Sequence, residues 1–162
     1  MMIEMKHFMM TMMAALVAVC AVAQAGHVYI EDFEIAPGET MEVAVLLTNA
    51  VETRGVQFNM TLPDGLLLED YELTKRATSR KMKPFAADRG DYWAMGMYPV
   101  EAVCFEPQEK LAVMTLYLTA DPDFKGGDIL LWKQRGSTMD CNTIILDDSA
   151  ATVKAAPTSA QP

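Results

Sequence analysis

The chain has 162 residues, a formal net charge of −9 and a pI near 4.6. A surface this acidic argues against nucleic acid or anionic lipid as a partner, because phosphate binding relies on Lys and Arg. The length suits one ordinary domain with a single core, needing neither structural metals nor several disulfides.

The N-terminus reads M-M-I-E-M-K-H-F, then an uncharged run from Met9 to Ala23, then Gln24 and Ala25. Lys6 supplies the positive start and Ala23-Gln24-Ala25 a small-x-small cleavage site, which predicts a secretion signal over 1–25 and a mature chain beginning at Gly26. The apolar run falls short of the roughly 20 residues that span a bilayer, so no transmembrane segment is expected in the mature chain. Cys20 raises the question of lipidation, but Val19 is a poor fit for the small residue that precedes an acylated cysteine. The expected location is secreted: periplasm, cell surface or extracellular.

Period-two alternation dominates the chain from Gly26 onward and predicts half-buried strands. The first is His27–Phe33. In Thr40–Thr48 the residues Met41, Val43, Val45 and Leu47 point one way. In Gly55–Leu62 the inward set is Val56, Phe58, Met60 and Leu62. Leu66–Leu73 follows. The polar, basic stretch 75–91, with Lys75, Arg76, Arg80, Lys81, Lys83 and Arg89, reads as a long loop or a short edge strand. Beyond it come Tyr92–Tyr98, a long strand Leu111–Ala120 with Ala112, Met114, Leu116 and Leu118 on one face, then Ile129–Lys133, Thr143–Leu146 and Ala151–Lys154. Pro37-Gly38, Pro63-Asp64-Gly65, Asp121-Pro122-Asp123 and Gly126-Gly127 punctuate these runs with turn chemistry. No amphipathic helix is predicted after the leader. The pattern implies an all-β antiparallel sandwich over 26–154, with a small, polar, Pro-containing tail over 155–162 that reads as disordered.

The run V-Y-I-E-D-F-E-I-A-P-G-E-T-M-E-V-A-V-L-L-T-N, followed by G-V-Q-F-N-M-T-L-P-D-G-L, resembles the opening strands of cohesin-like β-sandwich domains of secreted bacterial proteins. W-A-M-G-M-Y, K-L-A-V-M-T-L-Y-L-T-A-D and D-F-K-G-G-D-I-L-L fit in order as later strands, so the resemblance covers most of 27–154. It implies a jelly-roll-like sandwich of about nine strands, related to carbohydrate-binding modules, whose founding role is to hold dockerin modules on polysaccharide-degrading assemblies. Its motifs belong to core and turns, so no binding residue carries over. This chain has one such domain, with neither a dockerin nor a catalytic domain visible beside it.

Catalytic machinery is sparse. His27 is the sole histidine after the leader, expected to be exposed and inert, and without a second there is no Ser-His-Asp, Cys-His or His-rich zinc arrangement. Asp121, Asp123 and Asp128 share one turn, but their spacing is not that of an EF-hand loop and Lys125 stands among them. No enzyme activity, cofactor or metal is expected. Cys104 and Cys141 either form a disulfide, closing a loop of about 37 residues worth ~3–4 kcal/mol, or stay as unpaired thiols.

In Tyr92–Tyr98, Trp93, Met95 and Met97 share the core face, while Tyr92 and Tyr98 share the other with Ala94 and Gly96. Those tyrosines either pack beneath the 75–91 segment or form an exposed strip able to stack on sugar; Trp132 is a second candidate of that kind. Arg89-Gly90-Asp91 reads as a tight turn rather than a recognition tripeptide, and Asn59-Met60-Thr61 as outward positions of a strand rather than a glycosylation site. The expected function is a secreted binding module for a glycan or a dockerin-like protein partner, linked to polysaccharide processing. The alternative is a structural protein that assembles through its sheet edges.

Overall fold

The computed structural model describes residues 26–157; the expected leader, with Cys20, and the tail from 158 onward lie outside the described residues. Two sheets pack face to face. The small sheet runs β1 (Gly26–Tyr29), β3 (Thr40–Asn49), β8 (Gln108–Ala120), β5 (Leu66–Leu73). The large sheet runs β2 (Phe33–Ile35), β11 (Ser149–Ala155), β9 (Gly127–Ser137), β4 (Gly55–Thr61), β7 (Trp93–Pro99), β6 (Met82–Asp88), and β10 (Thr143–Ile145) also pairs with β9. Ladders are antiparallel except β11 with β2, which is parallel. From β3 to β9 the chain passes back and forth between the sheets, so each face of the core is assembled from strands distant in sequence.

Alternation builds that core. Val43, Val45, Leu47, Leu116 and Leu118 of the small sheet meet Val56, Phe58, Met60, Met95, Met97, Ile129 and Leu131 of the large one, all fully or almost fully buried. Each large side chain removed from water contributes about 1.5–3 kcal/mol. Phe124 closes one end of the sandwich over Gly65, whose φ of +83° suits the turn entering β5.

Several boundaries depart from the alternation, each for a local reason. The expected first strand divides into β1 and β2, because the chain leaves the small sheet after Tyr29 and joins the large one at Phe33; Asp32 Oδ1 receives Thr152 N–H at 2.8 Å on the way. Met41 stays 37% exposed at the start of β3 rather than joining Val43 inside. A β-bulge in β8 opposite Val45 and Leu46 turns Val113 into the core and moves Ala112 off the inward set. Of the two readings of the 75–91 stretch the edge strand holds, as β6, and a five-residue helix, α1 (Lys75–Ser79), precedes it. Tyr92 precedes β7 rather than lying within it. Strand β11 runs one residue past Lys154, with Ala155 in register with Ile35.

Candidate functional site

The candidate site is the outer face of β9-β4-β7-β6, shaped by a bulge in β9. Pairing between β4 and β9 slips between Gln57 and Asn59, so that Lys133 and Gln134 together oppose Phe58. Lys133 takes up the slack in the left-handed region at φ +49°, a conformation that costs a non-glycine residue about 1–3 kcal/mol. Parity then reverses. Gln134 turns inward and is fully buried, while Arg135 turns out beside exposed Lys133. The buried amide is well satisfied: Val28 N–H donates to Gln134 Oε1 at 2.7 Å, and Gln134 Nε2 donates to Val28 C=O at 2.8 Å. One glutamine thus covers the open edge of β1 and ties the two sheets together.

Register carries the outer side chains across the face in rows. Ala87, Ala94, Asn59 and Trp132 form one; Phe85, Gly96, Gln57 and Arg135 form the next. Small residues in β7 leave space, and Phe85 leans into it: a Cβ on Gly96 would meet the Phe85 ring at 2.7 Å. The result is a cavity of about 370 Å³ lined by Gln57, Asn59, Phe85, Arg89, Lys133 and Arg135. A second of about 410 Å³ adjoins it toward Tyr98 and Thr143, sharing Gln57, Phe85 and Arg135. No carboxylate lines either cavity. Lys133 Nζ stands 5.5 Å from the Trp132 ring centroid, and Arg135 Nη1 donates to the Gln134 carbonyl at 3.0 Å. Among the described residues the ion pairs are Arg80–Glu106 and Lys81–Glu101, so Arg89, Lys133 and Arg135 are left without carboxylate partners.

The opposite face of the sandwich is acidic. Glu42, Asp70 and Glu72 stand around Tyr117 on the outer side of β3-β8-β5. Tyr117 O–H donates to Glu72 Oε1 at 2.6 Å, and that hydrogen bond leads in pushing the phenol pKa up to about 12.

The aromatic candidates separate. Tyr98 lies 49% exposed at one end of the face, 6.5 Å from Phe85 between ring centroids. Tyr92 and Trp132 meet at the other end, edge to face at 5.1 Å, with Trp132 Nε1 donating to Thr61 Oγ1 at 3.0 Å. Phe85 over Gly96 interrupts the line between the tyrosines, so they do not form one flat strip. His27 is half-buried and stacks on Tyr29 at 4.7 Å. Arg89-Gly90-Asp91 is the β6–β7 turn, where Gly90 has φ +87° and its N–H donates to Asp88 Oδ1 at 2.8 Å.

Cys104 and Cys141 are free thiols, so the bridge weighed from sequence is not formed. They occupy separate loops with different partners: Arg54 Nη1 contacts Cys141 Sγ at 3.3 Å, while burial, then Glu52, pushes the Cys104 thiol up. Among the described residues no group of three or more metal-ligating side chains assembles, and no helix is long and apolar enough to cross a membrane.

No protein-family model matches the chain, and no curated protein does. Solved structures do. A non-cellulosomal cohesin from the archaeon Archaeoglobus fulgidus superposes with a TM-score of 0.63 at 12% identity, over 82% of this chain and 93% of that one. A cohesin module of a Clostridium perfringens family 33 glycoside hydrolase gives 0.68 at 13%, over 82% and 98%. A type I cohesin–dockerin complex from Clostridium thermocellum gives 0.65 at 14%, over 82% and 100%. At 12–14% identity the likeness is one of fold alone. The chain is a cohesin-like β-sandwich.

Proposed function

We propose that this chain is a secreted, non-catalytic binding module that docks a protein partner of the dockerin kind on the outer face of its large sheet. The observation that carries the reading is the pair of adjoining cavities on that face, with Gln57, Phe85 and Arg135 common to both. Gln57 and Asn59 make no side-chain hydrogen bond within the described residues, which leaves amide donors and acceptors facing outward at the centre. A face that mixes exposed rings, amides and cations has the composition of a recognition surface. Export, read from the leader, and the cohesin–dockerin complexes among the structural neighbours support the same reading.

A glycan is the second reading, favoured by the exposed ring of Tyr98 and carried by Tyr98, Tyr92 and Trp132. Its weakness is geometric: sugar stacking needs an open ring face, and Tyr92 and Trp132 turn edge to face on one another. The test exposes the full mature chain to the producing cell's secreted and surface proteins, beside a glycan array. Stoichiometric capture of a protein with a silent array supports the docking module. A polysaccharide captured alone, and lost on changing Tyr98 to Ala, overturns it in favour of the sugar reading.

A further inference from the structure

We infer that Arg89, Lys133 and Arg135 form an anion pocket that receives the carboxylates of an acidic, partly apolar protein segment. The inference rests on the proposed docking face and specifies the chemistry of what docks there.

The first ground is charge placement. The chain carries 13 Lys and Arg against 22 Asp and Glu, yet three of those cations line one cavity that contains no carboxylate. None of the three is ion-paired among the described residues. Like charges lining one cavity without counter-ions repel, and a ligand that supplies negative charge relieves that repulsion. Guanidinium groups suit this task, because their forked donors match the two oxygens of a carboxylate.

The second ground is the backbone that puts them there. Unbroken alternation from Ile129 and Leu131 would send Lys133 and Arg135 into the core. The bulge sends both outward instead, with Lys133 held in the left-handed region to do so. Bulges that re-aim side chains in this way are concentrated beside functional sites.

The third ground is the apolar ground beside the cations. Beyond Trp132 lies a mostly apolar depression of about 320 Å³ lined by Leu130, Leu131, Trp132 and Ala150, with Leu130 44% exposed and with Ser149 and the carboxylate of Asp148 at its margin, which directs the partner's acidic groups to the cations and its apolar side chain here. A partner that fills both needs carboxylates for the pocket and an aliphatic or aromatic side chain for the depression. A peptide segment supplies that mixture. A uronate polymer supplies the carboxylates only, and the rings here do not offer it a flat platform.

The test titrates the full mature chain with a poly-L-glutamate peptide and, separately, with polygalacturonate, at low and at physiological ionic strength. Poly-L-glutamate is expected to bind at low salt and to weaken as salt rises, since the Debye length shrinks to about 8 Å at physiological strength. The double substitution Lys133→Gln with Arg135→Gln is expected to weaken it by at least about tenfold, as loss of paired charges does at other interfaces. Its thermal midpoint should be unchanged or higher, because the substitution relieves repulsion. Lys75→Gln with Lys125→Gln removes the same charge from exposed positions elsewhere and should leave binding unaltered. An equal loss in that control overturns the inference, as does binding of polygalacturonate without poly-L-glutamate, or of neither. If a protein partner is captured undiminished by the Lys133/Arg135 double variant but lost when Gln57→Trp fills the face, the docking face stands and its anion chemistry falls.

Discussion

Gln134 shows how one residue links stability to the site. Its side chain stands in for a strand, giving Val28 on the edge of β1 both a donor and an acceptor. Ser149 Oγ also donates to Val28 C=O, at 2.7 Å, so Val28 N–H is the group that depends on the glutamine alone. Gln134→Leu should therefore cost about 1–3 kcal/mol in denaturant unfolding, the penalty of a buried donor left unmade. The inward turn of Gln134 was only half legible in the sequence: two cations at inward parity after Ile129 and Leu131 signal a bulge, but its position depends on the partner strand β4. On the acidic face, Tyr117 offers a pH test. The folded protein holds the phenol proton more tightly than the unfolded chain, whose phenol titrates near its ordinary value of about 10. The stability due to this bond is therefore complete below pH about 10 and lost as pH climbs through about 12. Tyr117 should ionise late by ultraviolet titration, and Glu72→Gln should bring it back toward the ordinary range.

At the scale of elements, β7 is the strand on which the face is built. Met95 and Met97 fill the core while Ala94 and Gly96 keep the outer side low. A Cβ at position 96 would run into the carbonyl oxygen of Val56 and the Phe85 ring, so Gly96→Ala should destabilise by about 1–3 kcal/mol, as overpacking does. Phe85→Ala added to it should restore only part of that loss, because the Val56 backbone cannot move aside as a ring can; a shift in the urea midpoint measures both. Strands such as β4 and β7 were legible because a sheet with one face in the core forces strict alternation, as in Val56, Phe58 and Met60. Strand β6 was not. Lys83, Pro84 and Asp88 give it the composition of a loop, and its strand form comes from pairing with β7. Arg89 and Phe85 reach the site through that pairing, which the local sequence does not announce.

The whole molecule is a sandwich polarised in charge, with Glu42, Asp70 and Glu72 on one outer face and Arg89, Lys133 and Arg135 on the other. Its sheet edges are blunted. Pro84 and Lys83 stand exposed on β6, and Glu69, Asp70 and Glu72 on β5. Such residues discourage strand addition, so light scattering should find a monomer; a ligand-free oligomer would favour assembly through the edges instead. The proposed recognition surface is the β9-β4-β7-β6 face. It is tested most directly by blocking each outer face in turn with one bulky residue at an exposed position, Gln57→Trp on the large sheet and Ala44→Trp on the small. The chain carrying Ala44→Trp is expected to capture the partner that wild type captures, while the chain carrying Gln57→Trp loses it at unchanged thermal midpoint. Capture that survives Gln57→Trp and fails with Ala44→Trp would contradict it and move the binding surface to the acidic face.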